Sequence, residues 1–166
     1  GGSSSLASSS ALVIDTTAPT VSSVTSSTAN GLYTVGDVID ISVAFSESVD
    51  VVTTSGTPTL ELETGSTNRS ATYTSGSGSN TLLFRYTVQA GDTASDLDYT
   101  STNALSLNSG TIKDSAGHNA TLTLPTLGGS SSLASSSALV IDTTAPTVSS
   151  VTSSTANGLY TVGDVI

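Results

Sequence analysis

Ala138-Leu139-Val140-Ile141-Asp142-Thr143-Thr144-Ala145-Pro146-Thr147-Val148 repeats, letter for letter, Ala11-Leu12-Val13-Ile14-Asp15-Thr16-Thr17-Ala18-Pro19-Thr20-Val21. The identity runs on in both directions: Gly1–Ile39 returns unchanged as Gly128–Ile166, a period of 127 residues. Self-similarity sets the unit of the fold before any local pattern is read. The unit is one 127-residue repeat, present once in full and followed by the opening of a second. Each copy of the quoted stretch reads as a strand (Leu-Val-Ile), a hinge (Asp-Thr-Thr) and a proline that opens the next unit. It marks a domain junction. The expected organisation is therefore 1–14 as the end of a preceding repeat, 15–19 as a hinge and 20–141 as a complete domain. A second hinge at 142–146 and the start of the next repeat at 147–166 follow.

Ile166 corresponds to Ile39, inside the apolar run Val38-Ile39-Asp40-Ile41-Ser42-Val43-Ala44-Phe45. The 166 residues are thus expected to be a window on a longer tandem array. The alternative is a short subunit that polymerises by lending its 128–166 tail to a neighbour in place of that neighbour's 1–39 head. Donated strands satisfy exposed sheet edges.

One repeat is long enough to bury a core of its own. The bias toward Ser, Thr, Gly and Val suits pleated strands joined by tight turns. No amphipathic helical stretch longer than two turns stands out, so the class is all-β. The net charge is −10, with Arg69, Arg85 and Lys113 the only Lys or Arg residues. That balance excludes phosphate-backbone binding, and with it nucleic-acid partners. It argues equally against adhesion to anionic lipid, and no stretch is long and apolar enough to insert in a membrane. An acidic surface favours solubility and divalent cations. Hydroxyl-rich composition suits exposure outside the cell, while the absence of cysteine excludes disulfides without fixing the compartment. Asn68-Arg69-Ser70 and Asn119-Ala120-Thr121 are acceptor triplets in a glycosylating host.

In chain order, Gly1–Ser10 is a small-residue loop and Ala11–Ile14 a closing strand of the preceding domain. Pro19 holds Ala18 extended, Thr20–Thr25 is the first strand, and Ala29-Asn30-Gly31 a turn. Val38–Phe45 is the strongest strand, with Ile39, Ile41, Val43 and Phe45 on one face. A loop around Glu47–Asp50 leads to Thr59–Glu63. Ser70–Ser75 and Asn80–Gln89 form a hairpin about Gly76-Ser77-Gly78-Ser79, the second strand turning Leu82, Phe84, Tyr86 and Val88 inward. Ala90–Asp98 is an acidic loop. Ala104–Leu107 and Thr111–Lys113 belong to the next strand region, and Asp114–Asn119 is a polar turn. Ala120–Leu124 is a strand stopped by Pro125, Gly128–Ser137 a small-residue loop and Ala138–Ile141 the closing strand. Seven to nine short strands with turns between them predict a two-sheet sandwich.

Four strings then carry a likeness: Ile14-Asp15-Thr16-Thr17-Ala18-Pro19, Tyr33-Thr34-Val35-Gly36-Asp37, Phe45-Ser46-Glu47-Ser48-Val49 and Lys113-Asp114-Ser115-Ala116-Gly117-His118-Asn119-Ala120. In this order, across the whole repeat, they resemble the bacterial Ig-like tandem repeats of giant cell-surface adhesins and extracellular fibres. The family's turn carries Asn where this chain has His118. The resemblance implies an immunoglobulin-like sandwich, tandem repetition on a cell surface and, in many members, calcium at or near the joints.

Calcium takes six to eight oxygen ligands. In an Ig-like topology the hinge Asp142 (and its copy Asp15) leaves a domain at the pole bearing Asp37, Asp92, Asp96 and Asp98. The next domain brings Glu47, Asp114 and Asn119 to the same junction. These groups are candidate calcium ligands, or else solvated turn-forming acids; the spacing matches no EF-hand loop. Enzyme chemistry finds little footing. Glu61 and Glu63 share an outward strand face, and His118 is the only histidine, with no cysteine beside it, which excludes zinc and histidine-based triads within one repeat. Arg85 is expected to pair with Glu61 or Glu63. Tyr33, Tyr73, Tyr86 and Tyr99 raise the alternative of a carbohydrate-binding module, though core and rim packing suits them better. A spacer is copied verbatim, whereas binding modules diverge. The reading is a structural link of an extracellular rod whose partners are neighbouring identical repeats and other copies of the filament.

Overall fold

The computed structural model describes residues 14–166. The loop expected at Gly1–Ser10, and all but the last residue of the strand expected at Ala11–Ile14, lie outside the described residues. Ile14 itself is exposed and in no strand.

The centre of the molecule is the alternating run read as the strongest strand. It forms β3 (Val38–Val52), which pairs antiparallel with β1 (Val21–Ser26) on one side and with β6 (Ser79–Thr87) on the other. The sheet continues through β5 (Arg69–Ser75), β4 (Thr59–Leu62) and β8 (Leu105–Ser106), while β9 (Thr111–Lys113) joins the far end of β3. A second, three-stranded sheet places β10 (Leu139–Asp142) between β2 (Gly31–Tyr33), parallel to it, and β7 (Thr93–Ala94), antiparallel.

Period-2 patterning did the sorting. Ile39, Ile41, Val43 and Phe45 of β3, Leu60 and Leu62 of β4, and Leu82, Phe84 and Tyr86 of β6 are buried, as is Val88 just beyond β6. Leu139 and Ile141 of β10 join the same core, so both sheets close over one apolar interior. Each aliphatic side chain so buried contributes about 1.5–3 kcal/mol.

Three local expectations are corrected. The strand expected to stop at Phe45 continues to Val52, because a register shift between Ala44 and Val49 takes up the intervening residues. Phe45 and Val49 both stay buried, and Ser46-Glu47-Ser48 bulge out of the ladder, as extra residues in a strand do. The small-residue loop before the closing strand contains one helical turn, α1 (Leu133–Ser136), whose Ser132 hydroxyl caps the Ser135 N–H and whose Leu133 is buried. Ala120–Leu124 forms isolated bridges rather than a strand: Thr121 to Thr20, and its neighbour Asn119 to Lys113.

β3 also defines two poles. At its start, the Val88 N–H bonds the Asp37 carbonyl and the Gly36 N–H bonds the Val88 carbonyl, both at 2.9 Å. At Ser46, the chain meets Thr20. At about 3.4 Å per residue, eight steps of strand hold these poles roughly 27 Å apart.

Candidate functional site

The chain enters the repeat at the Ser46 pole. Pro19 is buried and its carbonyl accepts the Thr121 N–H at 2.7 Å. Thr20 is held twice by Ser46: its N–H donates to Ser46 Oγ at 3.0 Å, and its carbonyl accepts the Ser46 N–H at 2.8 Å. Beside this anchor the carboxylates of Asp15, Glu47 and Asp114 converge, one oxygen from each lying within 4.8 Å of the others. Asp15 comes from the segment leading into Pro19, Glu47 from the bulge in β3 and Asp114 from the turn after β9. Asp114 is buried and accepts the His118 N–H on Oδ1 and meets His118 Nδ1 with Oδ2, each at 2.8 Å. Burial pushes its pKa up, but these His118 bonds outweigh burial and hold it below 3.8. Gly117, with φ +95°, closes the turn in the left-handed region that a side chain rarely adopts.

The chain leaves at the opposite pole. Ile141 and Asp142 pair with Ala94 and Thr93. The next residue, Thr143, accepts the Gly91 N–H on its hydroxyl at 3.0 Å and donates to the Asp92 carbonyl at 2.9 Å. Asp92 is itself fixed. Its buried carboxylate takes Arg69 Nε on Oδ1 at 2.9 Å, and on Oδ2 both the Tyr86 hydroxyl and the Gln89 N–H, the latter at 2.8 Å. Burial raises its pKa, but the bonds from Tyr86, Arg69 and the Gln89 N–H outweigh burial and hold it below 3.8. Tyr86 shows the complement: burial and the adjacent carboxylate push its hydroxyl well above 10.

The nine candidate ligands thus divide. Asp15, Glu47 and Asp114 come together. Asp142 sits at the exit with its Oδ1 accepting the Thr144 N–H at 2.8 Å. Asp37 caps a turn by accepting the Thr34 N–H at 2.8 Å, and Asp98 accepts its own neighbour's N–H, that of Tyr99, at 2.9 Å. Asp96 and Asn119 are exposed. Asp92, read as a loop acid, has both oxygens committed inside the domain. Its one sequence signal is Arg69, one of only three Lys or Arg residues in an acidic chain.

Arg85 corrects another expectation. It forks onto Asp40, directly opposite on β3, at 2.7 and 2.8 Å. Glu61 instead accepts the Thr100 hydroxyl. The tyrosines form no platform: Tyr86 and Tyr99 are buried, Tyr73 packs edge-on against Phe84, and Tyr33 donates to the Ala29 carbonyl.

Two β-sheets closed over one core, entered beside Ser46 of the central strand and left beside that strand's start, define an immunoglobulin-like sandwich. The family model described as a bacterial Ig-like domain matches residues 15–128, and the chain belongs to that family. The match begins at Asp15 and stops short of α1 and β10. Domains of this family occur in bacterial surface proteins and are typically non-enzymatic. No curated protein and no solved structure gives a significant match. No helix among the described residues is long and apolar enough to cross a membrane.

Proposed function

We propose that the chain is a structural repeat of a bacterial extracellular rod, an adhesin stalk or filament, built from copies of 20–141 joined through Asp-Thr-Thr-Ala-Pro. The observation that carries this reading is that the chain enters and leaves the folded unit through the same five residues, Asp15–Pro19 and Asp142–Pro146. Those passages lie at opposite poles, so identical units in series extend rather than stack side by side. Calcium is assigned to the joint. Asp15, Glu47 and Asp114 offer hard carboxylate oxygens of the kind that ion takes, and each Asp114 oxygen keeps acceptor capacity beyond its His118 bond. When bound, the ion offsets the repulsion among the three carboxylates.

The test is small-angle scattering and thermal melting of the chain extended by a second complete repeat, with calcium and then with chelator. An elongated particle that melts lower and shortens on chelation is expected. A compact particle rejects the rod. An elongated particle indifferent to chelation rejects calcium and leaves the three acids as solvated surface.

A second reading, polymerisation by strand donation, draws support from the edge positions of β1 and β2, which 147–166 duplicates in sequence. Oligomers that grow with concentration in size-exclusion chromatography with light scattering support it. A monomer at all concentrations removes it.

A further inference from the structure

The two poles grip the same five-residue sequence at different places, and laying one copy on the other shows how little of the joint is free. On the exit side the last residue held by the preceding repeat is Thr143, through Gly91 and Asp92. On the entry side the first residue fastened to the body of the following repeat by a backbone bond is Pro19, through Thr121. Thr143 is the counterpart of Thr16 and Pro19 that of Pro146, so only Thr144 and Ala145 lie between the anchors. Neither is loose. The Thr144 N–H is tied to Asp142 Oδ1 at 2.8 Å, and the copy repeats this bond from Thr17 to Asp15 Oδ1 at 2.9 Å. Ala145 precedes proline, which confines it to extended backbone.

Three residue steps from Thr143 to Pro146 reach at most about 11 Å. Within that reach the Gly91–Thr93 loop of one repeat must meet the Ser46–Ser48 bulge and the Asp114–His118 turn of the next. We infer that Asp-Thr-Thr-Ala-Pro is a clamp rather than a hinge: Thr143 fastens the joint to the preceding repeat and holds that repeat's Gly91–Thr93 loop directly against the entry pole of its successor. The partner of each pole is a second copy of this repeat. Asp142 belongs to both sides, as the last residue of β10 in one repeat and as the Asp15 of the acidic trio in the next. The platform under Thr143 is rigid because the Asp92 carboxylate is locked by Arg69, Tyr86 and the Gln89 N–H. The inference rests on the tandem reading above.

Two measurements test the clamp and separate its failure from failure of that reading. In the 166-residue chain, hydrogen exchange at the Gly91 amide is expected to be slow. Thr143→Val should speed it roughly fivefold to tenfold, the loss of one hydrogen bond, and Thr143→Ser should restore it. In the chain extended by a second complete repeat, Thr143→Val should broaden the distribution of inter-repeat angles read from residual dipolar couplings, and Thr143→Ser should not. If the unsubstituted extended chain is compact, the tandem reading itself falls, and the clamp with it. If it is elongated, then either unchanged Gly91 exchange or an unchanged angle distribution in Thr143→Val overturns the clamp alone.

Discussion

Residues 20–39 and 147–166 have the same sequence and opposite fates. In the first, Val24 and Ile39 are fully buried; their counterparts Val151 and Ile166 are 90% and 83% exposed. The first copy supplies β1, β2 and the start of β3, while the second has no strand among the described residues. The turns, however, survive in both. Tyr33 donates to the Ala29 carbonyl and Tyr160 to that of Ala156. Asp37 caps the Thr34 N–H and Asp164 the Thr161 N–H, with Gly36 at φ +92° and Gly163 at φ +104°. Local side-chain-to-backbone bonds are therefore written into these twenty residues. Strand pairing is not; in the first copy it draws on the β3 continuation, β6 and β10.

The largest test of that contrast is a pair of identical substitutions. Ile39→Ala should destabilise the chain by about 2–5 kcal/mol through lost burial and a residual cavity. Ile166→Ala should stay within about 0.5 kcal/mol. Urea denaturation of the two variants reads both, and equal losses would mean the tail is packed after all.

Next comes the scaffold that only the first copy enjoys. Asp92→Asn removes the anion that Arg69 and Tyr86 address and should cost about 1–3 kcal/mol at neutral pH. Because the folded pKa of Asp92 lies below 3.8, its stabilisation is complete above that value and is lost as pH falls through the folded pKa. Melting temperature of the wild type should thus drop more steeply than that of Asp92→Asn in the acid range, while the variant is the less stable of the two at pH 7.

Smaller effects probe the turns. Gly36→Ala forces a side chain into the left-handed region and should lose about 1 kcal/mol; Gly163→Ala should leave melting unchanged and alter only the chemical shifts near Thr161. Smallest of all, in calcium-free buffer Asp15→Ala and Asp142→Ala should each move stability by less than about 0.5 kcal/mol. Both should shift the amide resonance of their own turn, Thr17 in one and Thr144 in the other. A shift in only one copy would show that the surrounding domain, not the sequence, makes that turn.

The same division explains what was legible beforehand. Alternation at Ile39–Phe45 and Leu82–Val88 is a short-range signal with one physical cause, a sheet wet on one face, and it placed the core correctly. The continuation of β3 was hidden by polar Ser46-Glu47-Ser48, since a bulge suspends the alternation. The helical turn at Leu133–Ser136 was hidden by serines, whose capping value appears only once Leu133 has a core to enter. Partners across strands were the hardest. Arg85 meets Asp40 because β3 and β6 set that register, and nothing in the local letters favours Asp40 over Glu61. Asp92 sits in a stretch that looks like a solvated acidic loop, and its counter-charge is 23 residues away. Of the junction acids, all expected at one joint, only Asp15, Glu47 and Asp114 come together; Asp37 and Asp98 accept N–H groups of nearby residues and Asp96 is exposed, distinctions that short polar loops do not display in their letters.

The strand β10 runs toward the exit pole between a parallel and an antiparallel neighbour, and β1 runs inward from the entry pole along β3. A pull applied to the two ends of the repeat therefore acts along both strands lengthwise. The ladder bonds on each strand then share the tension and must slide together, instead of parting one after another as they would if the strand were peeled sideways. A repeat threaded in this way resists stretching most strongly along the line that joins its two poles.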